Sequence, residues 1–262
     1  MLPALISLTA VGLTAGLCLA WAANRFNVQK DPRIQTILDS LPGSNCGACG
    51  YPGCGAMSSA IADGKAGADA CPVTNAAQKS ALAAILGSED CDFTAKVVRL
   101  ACGGNSQKCP PTADYSGLED CRVMALTAGG GKACIYGCLG GGNCVSACLY
   151  EAIEIDTSGL PVVHEDKCTA CGLCAKACPR SLLKVMNLAE PVYIKCKSID
   201  KGPDVRKVCS SGCIACKICE KTCPEGAITA SGFLAAIDPQ KCTGCGLCLE
   251  KCPTKCIALA KG

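Results

Sequence analysis

The sequence predicts an α+β chain with an N-terminal transmembrane helix, a small four-cysteine domain and two modules that repeat each other. Three observations predict this organisation: a charge-free apolar run near the N-terminus, cysteines grouped in tight triplets, and an internal repeat. Cys148 and Cys178 are 30 positions apart, and Cys223 and Cys252 are 29 positions apart. Each module therefore consists of two similar half-units.

The composition favours bound metal centres over an ordinary apolar core. Of the 262 residues, 28 are cysteine, one is histidine and 3% are aromatic. Two cysteines in a C-x2-C turn are poorly placed to cross-link distant parts of a fold, but they are well placed to hold one metal centre. The single histidine argues against haem, Rieske and histidine-rich zinc or copper sites. The net charge of +3 and the scarce aromatics argue against nucleic-acid binding.

The N-terminal run predicts a transmembrane anchor over residues 1–25. Ala4 to Ala23 contains no charged residue, and a helix of this length covers about 30 Å, the thickness of a bilayer's hydrocarbon core. Trp21 would lie at the interface, and Arg25, Lys30 and Arg33 follow the run. The positive-inside rule then predicts a single-pass protein of the cell inner membrane with its cysteines on the cytoplasmic side. A cleaved signal peptide is the alternative, but its charged first segment is missing.

The rest of the chain divides into five predicted segments. A four-cysteine domain covers residues 32–90, with an amphipathic start and an Ala/Leu-rich helix near residues 75–86. A connecting region covers residues 91–131, where Val97, Val98 and Leu100 alternate in a way that indicates a strand. The first module covers residues 132–190, a basic linker covers 191–208, and the second module covers 209–262.

Three copies of the motif C-x2-C-x2-C-x3-C-P carry the strongest signal. Three thiolates on such a tight loop reach three irons of one [4Fe–4S] cube, and the fourth cysteine ligates the neighbouring cube. Zinc ribbons also use C-x2-C, but as two dithiol pairs rather than as triplets with a fourth cysteine before proline. Both modules are therefore predicted to be bacterial-type two-cluster ferredoxin-like modules. The copies are Cys168-Cys171-Cys174-Cys178-Pro179, Cys213-Cys216-Cys219-Cys223-Pro224 and Cys242-Cys245-Cys248-Cys252-Pro253.

Exchange of the fourth cysteine between half-units predicts the ligand sets. The regular sets are Cys168, Cys171 and Cys174 with Cys148; Cys213, Cys216 and Cys219 with Cys252; and Cys242, Cys245 and Cys248 with Cys223. The first half-unit of the first module lacks the regular spacing and the proline. We assign Cys134, Cys138 and Cys144 to its cluster, together with Cys178.

The four-cysteine domain is predicted to hold one isolated [4Fe–4S] cluster, which makes five in the chain. Its ligands would be Cys46, Cys49, Cys54 and Cys71, spaced C-x2-C-x4-C-x16-C. Zinc is an alternative on spacing alone. The glycines at positions 47, 50, 53 and 55 favour an iron–sulfur cluster, because they let backbone N–H groups approach cluster sulfurs.

Cysteines left over from these sets suggest a sixth cluster. Four of them form two spaced pairs, Cys102 with Cys121 and Cys196 with Cys209. Free cytosolic thiols are the alternative, and Cys109 is a substitute for Cys102 that the sequence does not exclude. We expect Cys91 and Cys256 to be unligated.

Two polar features lie outside the motifs. His164, in a polar run before Cys168, is expected at the surface. The basic residues of the linker are typical of a solvated face, and the alternative is a docking surface for an acidic carrier such as free ferredoxin. They are Lys195, Lys197, Lys201, Arg206 and Lys207.

These motifs resemble the B subunits of the Rnf complexes, the membrane-bound ferredoxin:NAD+ oxidoreductases that translocate Na+ or H+. The resemblance rests on an N-terminal helix followed by Cys46-Gly-Ala-Cys49-Gly-Tyr-Pro-Gly-Cys54 and Cys71-Pro72. Three further segments resemble the longer members: Asp120-Cys121-Arg122, the run from Cys134 to Cys144, and Asp204-Val-Arg-Lys-Val-Cys209. The chain departs from the family at Leu149, where proline is usual, and in its wider Cys102–Cys109 spacing.

The resemblance implies an electron-transfer subunit of an ion-translocating enzyme, working between cytosolic ferredoxin and the membrane subunits. It also implies that NAD+ and flavin are bound by other subunits. The sequence agrees, since it has no strand-linked G-x-G-x-x-G followed by an acidic residue. Two alternatives stay open: a membrane-tethered ferredoxin that works alone, and a polyferredoxin subunit of another membrane redox enzyme.

Overall fold

The computed structural model describes residues 2–26, 31–87 and 94–260. Its helices are α1 (Leu2–Arg25), α2 (Pro32–Ser40), α3 (Cys54–Ala62), α4 (Ala76–Leu86), α5 (Cys121–Leu126), α6 (Asn143–Ser146), α7 (Leu173–Ala177), α8 (Gly202–Val208), α9 (Ile218–Thr222) and α10 (Leu247–Lys251). Its strands are β1 (Lys96–Leu100), β2 (Ile153–Ile155), β3 (Pro161–Val163), β4 (Leu183–Asn187), β5 (Val192–Ile194), β6 (Ile228–Ser231), β7 (Leu234–Ile237) and β8 (Ile257–Leu259). Most helices are short, and several begin beside a cysteine of a motif.

The prediction of a transmembrane anchor is wrong. Across residues 2–26, 31–87 and 94–260, no helix has both the length and the apolar character that crossing a membrane requires. Helix α1 does form over the predicted run. The described part of α1 contains Thr9, Thr14 and two glycines, which lower its mean hydropathy, and the helix ends with Asn24 and Arg25. Lys30, on which the predicted orientation partly depended, lies outside the described residues.

Helices α2, α3 and α4 of the four-cysteine domain pack around a small apolar core. Asn75 begins α4 through a capping box, in which its side chain accepts from the Gln78 backbone and the Gln78 side chain accepts in return. This is the Ala/Leu-rich helix that the sequence predicts. The core side chains are each at most 1% exposed, and they are Ile37, Met57, Ile61 and Leu82.

Two sheets join segments that are far apart in sequence. Strand β1, in the predicted connecting region, pairs antiparallel with β4 of the first module, with Lys96 opposite Asn187 and Leu100 opposite Leu183. Strand β5, in the predicted linker, pairs antiparallel with β8 at the end of the second module. Each module thus includes a strand from the segment that precedes it.

A buried ion pair holds these parts together. Arg99 of β1 is 5% exposed, and its Nη1 lies 2.6 Å from Oε1 of Glu165 in the first module. The guanidinium also lies over the ring of Tyr193 in β5, 5.3 Å from the ring centroid. The connecting region, the first module and strand β5 therefore meet at one side chain.

The four half-units share one backbone geometry. Two positions before the third cysteine, each has a residue with φ between 60° and 77°: Gly142, Gly172, Lys217 and Gly246. Three positions after the fourth cysteine, each has another residue with positive φ: Glu151, Ser181, Gly226 and Lys255. Left-handed backbone is uncommon outside glycine. Its recurrence at matching positions shows that the irregular half-unit before Cys148 has the same loop shape as the other three.

Candidate iron–sulfur sites

Cysteine side chains gather at six places, which we number from the four-cysteine domain outward. Site 1 comprises Cys46, Cys49, Cys54 and Cys71. Site 2 comprises Cys148, Cys168, Cys171 and Cys174. Site 3 comprises Cys121, Cys138, Cys144 and Cys178. Site 4 comprises Cys102, Cys109, Cys134, Cys196 and Cys209. Site 5 comprises Cys213, Cys216, Cys219 and Cys252, with Cys256 beside them. Site 6 comprises Cys223, Cys242, Cys245 and Cys248.

The thiols of sites 1 to 5 surround cavities rather than converge on a point. At each of these five sites the cysteines line one shared cavity. In the described parts of the chain, no three Cys, His, Asp or Glu side chains lie close enough to share a single metal ion. Four thiols around a cavity are the donor set that a [4Fe–4S] cube uses, so these residues fit such a cluster.

Four of the predicted ligand sets coincide with cysteine groups in the structure, at sites 1, 2, 5 and 6. Exchange of the fourth cysteine is the reason that sites 2, 5 and 6 take this form. Cys148 and Cys252 lie in the cavities of the partner half-unit, and Cys223 lies beside Cys248.

Site 3 differs from the predicted set, because Cys121 takes the place that we assigned to Cys134. Cys138 and Cys144 are six positions apart, the same interval as Cys168 and Cys174. Gly141 therefore occupies the position of the second cysteine in the regular motif. The missing thiol comes from Cys121 at the start of α5.

The contacts of Gly141 explain how Cys121 reaches this position. A Cβ on Gly141 would lie 3.0 Å from the Cys121 backbone nitrogen and 2.8 Å from Met124 Sδ. The Cys121 N–H also donates to Asn143 Oδ1 at 2.6 Å. The lack of a side chain at residue 141 thus lets α5 pack against the loop. The interval of six between Cys138 and Cys144 was the sequence signal for this arrangement.

Site 4 contains Cys102, Cys196 and Cys209 of the predicted sixth set, but Cys134 and Cys109 join them and Cys121 does not. Gly104 lies among them, since a Cβ there would be 3.1 Å from Cys209 Sγ and 3.2 Å from Cys109 Cβ. Lys132 lines the cavity and donates from Nζ to the Gly104 carbonyl at 2.7 Å. A cube takes four protein ligands, so a cube at site 4 would leave one of the five thiols unused.

Site 5 also has an additional thiol. Cys256 Sγ lies 3.7 Å from Cys252 Sγ and lines the same cavity. The hydrogen bond from Cys256 lowers the pKa of Cys252 to about 5, whereas Cys213 and Cys252 raise the pKa of Cys256. Cys109 has the same relationship to Cys209 at site 4, where it lowers the pKa of Cys209 to about 5. Cys91, the other cysteine that we expected to be unligated, lies outside the described residues.

Backbone N–H groups donate to sulfur at several sites. The N–H four residues after the fourth cysteine of a motif donates to its Sγ, from Ala152 to Cys148 at 3.3 Å and from Ala227 to Cys223 at 3.3 Å. At site 4, the Cys138 N–H donates to Cys102 Sγ at 3.4 Å. Such donors stabilise thiolate and are a known means of tuning cluster potentials.

Burial keeps several of these thiols protonated in the absence of metal. It raises the pKa of Cys138 and of Cys174 to about 12, and that of Cys219 to about 11, with neighbouring cysteines adding to the shift. Metal centres bind the thiolate form. Binding of iron at these sites therefore releases protons and compensates buried negative charge.

The six sites lie in a continuous order. Lys176, beside site 2, donates from Nζ to the Ala48 carbonyl of site 1 at 3.1 Å. Cys174 of site 2 is an electrostatic neighbour of Cys144 of site 3, and both belong to one buried cluster. The Cys138–Cys102 hydrogen bond joins sites 3 and 4.

The second half of the order follows in the same way. Cys196 of site 4 is an electrostatic neighbour of Cys213 of site 5. Burial raises the pKa of Cys196, and a hydrogen bond with the Cys213 backbone lowers it in part. Sites 5 and 6 share a buried cluster that includes Cys213, Cys219, Cys248 and Cys252. Site 1 and site 6 are therefore the two ends of the series.

The remaining polar residues have ordinary contacts. His164 is half-exposed, and its Nε2 lies 3.1 Å from Glu154 Oε1. In the linker, Lys197 donates from Nζ to the Arg180 carbonyl at 2.8 Å and Lys195 lines site 4, so both are partly buried. Lys201, Arg206 and Lys207 are exposed.

Three family models match parts of the chain. Residues 41–73, around site 1, match the FeS family of Fe–S cluster domains. Residues 161–183 match the Fer4 family, described as a 4Fe-4S binding domain. Residues 212–256 match the Fer4_7 family, described as a 4Fe-4S dicluster domain.

Full-length relatives agree with these matches. The chain is 45% identical over 94% of its length to the B subunit of the Na(+)-translocating ferredoxin:NAD(+) oxidoreductase complex of Acetobacterium woodii, covering 74% of that protein. It is 40% identical over 96% of its length to the B subunit of the ion-translocating oxidoreductase complex of Methanosarcina acetivorans, covering 96% of it. It is 38% identical over 97% of its length to the B subunit of the proton-translocating ferredoxin:NAD(+) oxidoreductase complex of Clostridium ljungdahlii, covering 90% of it.

Proposed function

Because the chain belongs to the family of B subunits of the ion-translocating Rnf oxidoreductase complexes, we propose that it holds six [4Fe–4S] clusters, one at each cysteine site. It is an electron-transfer subunit of an ion-translocating ferredoxin:NAD+ oxidoreductase. The observation that carries the cluster number is the gathering of cysteines at six places in one continuous order.

The ligands at site 3 are Cys121, Cys138, Cys144 and Cys178. At site 4 they are four of the five cysteines, with Cys102 among them because it accepts a backbone N–H as Cys148 and Cys223 do. Bound clusters supply one-electron redox centres. The protein contributes the thiolates, the backbone donors and the partial burial of the cysteines at sites 1 to 4.

Soluble ferredoxin contacts the second module. Cys216 of site 5 and Cys245 of site 6 are exposed, whereas no cysteine of sites 1 to 4 is exposed. The neighbouring apolar side chains Ile218 and Leu247 are 40% and 41% exposed. An exposed ligand gives a soluble carrier close approach to a redox centre, and small apolar areas are typical of such contact surfaces.

Site 1, at the other end of the series, faces the remaining subunits of the complex. The FeS-family match covers this site, and the Lys176–Ala48 hydrogen bond docks its domain against the first module. We assign the membrane association of the chain to these partner subunits. The free cysteines of the described residues suit the cytoplasmic side, where thiols stay reduced.

Anaerobic purification of the complex tests the proposal. With the chain present, the complex reduces NAD+ with reduced ferredoxin. A complex lacking the chain is inactive with ferredoxin but keeps any activity of its other subunits with artificial donors. If the complex without the chain still reduces NAD+ with ferredoxin, the assigned role is wrong.

A further inference from the structure

The cavity at site 2 contains two hydroxyl groups without partners. Tyr150 Oη and Thr169 Oγ1 are both buried and make no hydrogen bond, and both residues line this cavity. In the described residues, the other buried side-chain atoms without a partner belong to a single arginine, Arg99. Buried polar groups are nearly always hydrogen-bonded. Two such donors at one cavity therefore point to an acceptor that the cavity holds.

The protein atoms nearby do not supply that acceptor. Ser44 and Cys46 of the four-cysteine domain lie within range of a long side-chain hydrogen bond to Tyr150, and Cys171 of site 2 is a further charged neighbour. None of them makes a hydrogen bond of acceptable geometry with Tyr150 Oη. The acceptor that suits both hydroxyls is sulfur, either sulfide of a cluster or a cysteine thiolate that ligates it.

The repeat shows that this pair of hydroxyls is specific to site 2. Tyr150 stands two positions after the fourth cysteine, where the other half-units have Arg180, Glu225 and Thr254. Thr169 stands one position after the first cysteine, where the others have Leu139, Ile214 and Thr243. Thr254 already pairs with Cys252 Sγ at 3.7 Å, and Thr243 is exposed. Site 2 is thus the one site of the two modules in which both positions carry buried, unpartnered hydroxyls.

We propose that the hydroxyl groups of Tyr150 and Thr169 donate hydrogen bonds to the sulfurs of the cluster at site 2 and raise its reduction potential above that of an equivalent site without them. Reduction adds negative charge to the cluster, and an O–H donor stabilises the reduced form more than the oxidised form. Tyr150 interacts electrostatically with both Cys171 of site 2 and Cys46 of site 1. The cluster with the raised potential is therefore the one that exchanges electrons between the first module and the four-cysteine domain.

This inference rests on the proposed cluster at site 2, and the test separates the two. Tyr150→Phe keeps the ring and lacks the hydroxyl, and Thr169→Val replaces the hydroxyl with a methyl group of similar size, so each removes one hydrogen-bond donor. The full chain carrying each variant, and both together, is titrated anaerobically with EPR detection. The site 2 signal is the one that a Cys171→Ala variant removes. If Cys171→Ala removes no signal, the cluster assignment fails rather than the inference.

Each variant is expected to lower the midpoint potential of that signal. Loss of one hydroxyl should reduce the equilibrium ratio of reduced to oxidised site 2 about tenfold, which corresponds to about 59 mV for one electron. The weak coupling to an exchangeable proton, measured by electron–nuclear double resonance before and after transfer to D2O, should disappear with the hydroxyl. Thr169→Ser keeps the hydroxyl donor, so its site 2 potential should equal that of the unchanged chain and exceed that of Thr169→Val. Thr243→Val is the matched control, and it should leave site 2 unchanged.

Two results would overturn the inference. One is an unchanged site 2 potential in the double variant with full iron content. The other is an equal site 2 potential in Thr169→Ser and Thr169→Val. This comparison stays valid even if Tyr150→Phe loses iron.

Discussion

The Arg180 guanidinium donates from Nη1 to the Cys134 carbonyl at 3.1 Å, and so it connects site 3 with site 4. Arg180 lines the site 3 cavity and follows the ligand Cys178 by two positions. The same nitrogen donates to the Gly137 carbonyl. Cys102 and Cys138 are among the charges that act on this half-buried cation. A permanent positive charge thus lies between two neighbouring cluster sites.

Arg180→Gln should lower the reduction potentials of both sites. Removal of a half-buried cation destabilises the reduced, more negative clusters, by about tenfold in the equilibrium constant or about 59 mV for each site. EPR-monitored titration of the full chain measures the shift. Arg122→Gln is the control, because Arg122 is exposed on α5 and solvent screens its charge. Potentials that move equally in both variants would contradict the role of Arg180.

Cys121→Ser should remove the cluster at site 3 alone. We expect the iron content to fall by about four atoms per chain, because a [4Fe–4S] cube held by three thiolates and a hydroxyl is labile. Iron analysis of anaerobically purified chain measures this. Gly141→Ala should have a related effect, since its Cβ would press on the Cys121 backbone and Met124 Sδ. Cys18→Ser serves as the control, because Cys18 lies on α1, outside the six sites.

Retention of the site 3 cluster in Cys121→Ser, with its loss in Cys134→Ser, would restore the ligand set that the sequence alone predicts. In the observed arrangement, Cys134→Ser should instead affect site 4.

Cys102→Ser and Cys109→Ser should differ in their effect on site 4. Cys102 Sγ accepts the Cys138 N–H, as thiolate ligands at other sites accept backbone N–H groups. Cys102→Ser should therefore remove about four irons, whereas Cys109→Ser should keep them. Iron and sulfide analysis of the two variants, purified side by side, distinguishes them. The reverse pattern would make Cys109 the ligand and Cys102 the additional thiol.

Charge reversal near site 5 should weaken the reaction with ferredoxin. Gly202 packs against the Ile214 carbonyl in the site 5 loop, so Lys201 lies beside that site, and Arg206 and Lys207 follow on α8. Changing these three exposed residues to Glu should slow reduction by ferredoxin about tenfold at low salt and flatten its salt dependence. Stopped-flow absorbance measures the rate. Lys65→Glu, on the four-cysteine domain, is the control, and an unchanged salt dependence in the triple variant would rule out docking at this surface.

At the regular sites, the cysteines that the sequence groups together are also together in the structure, because most of them are close in sequence. In Cys213–Cys216–Cys219, the spacing alone forces three thiols onto one loop, and the repeat identifies Cys252 as the fourth. Site 1 is similar, since a short loop and the start of α3 carry Cys46, Cys49 and Cys54.

The cysteine groups at sites 3 and 4 were harder to predict because tertiary contacts bring their members together. Cys121 reaches site 3 only because Gly141 leaves room for α5, and Cys134 then belongs to the neighbouring site. The pairing of β1 with β4 was likewise not predicted, although the strand at Val97 and Val98 was. The transmembrane prediction rested on the absence of charge in the run rather than on its mean apolar character.

Iron-edge anomalous diffraction from the anaerobically crystallised full chain tests the central claim most directly. We expect six compact iron peaks, about 24 iron atoms in all, one within each cysteine group and in the order from site 1 to site 6. Single zinc ions, sulfur–sulfur bonds at Cys213–Cys252, or no iron among Cys121, Cys138, Cys144 and Cys178 would contradict it.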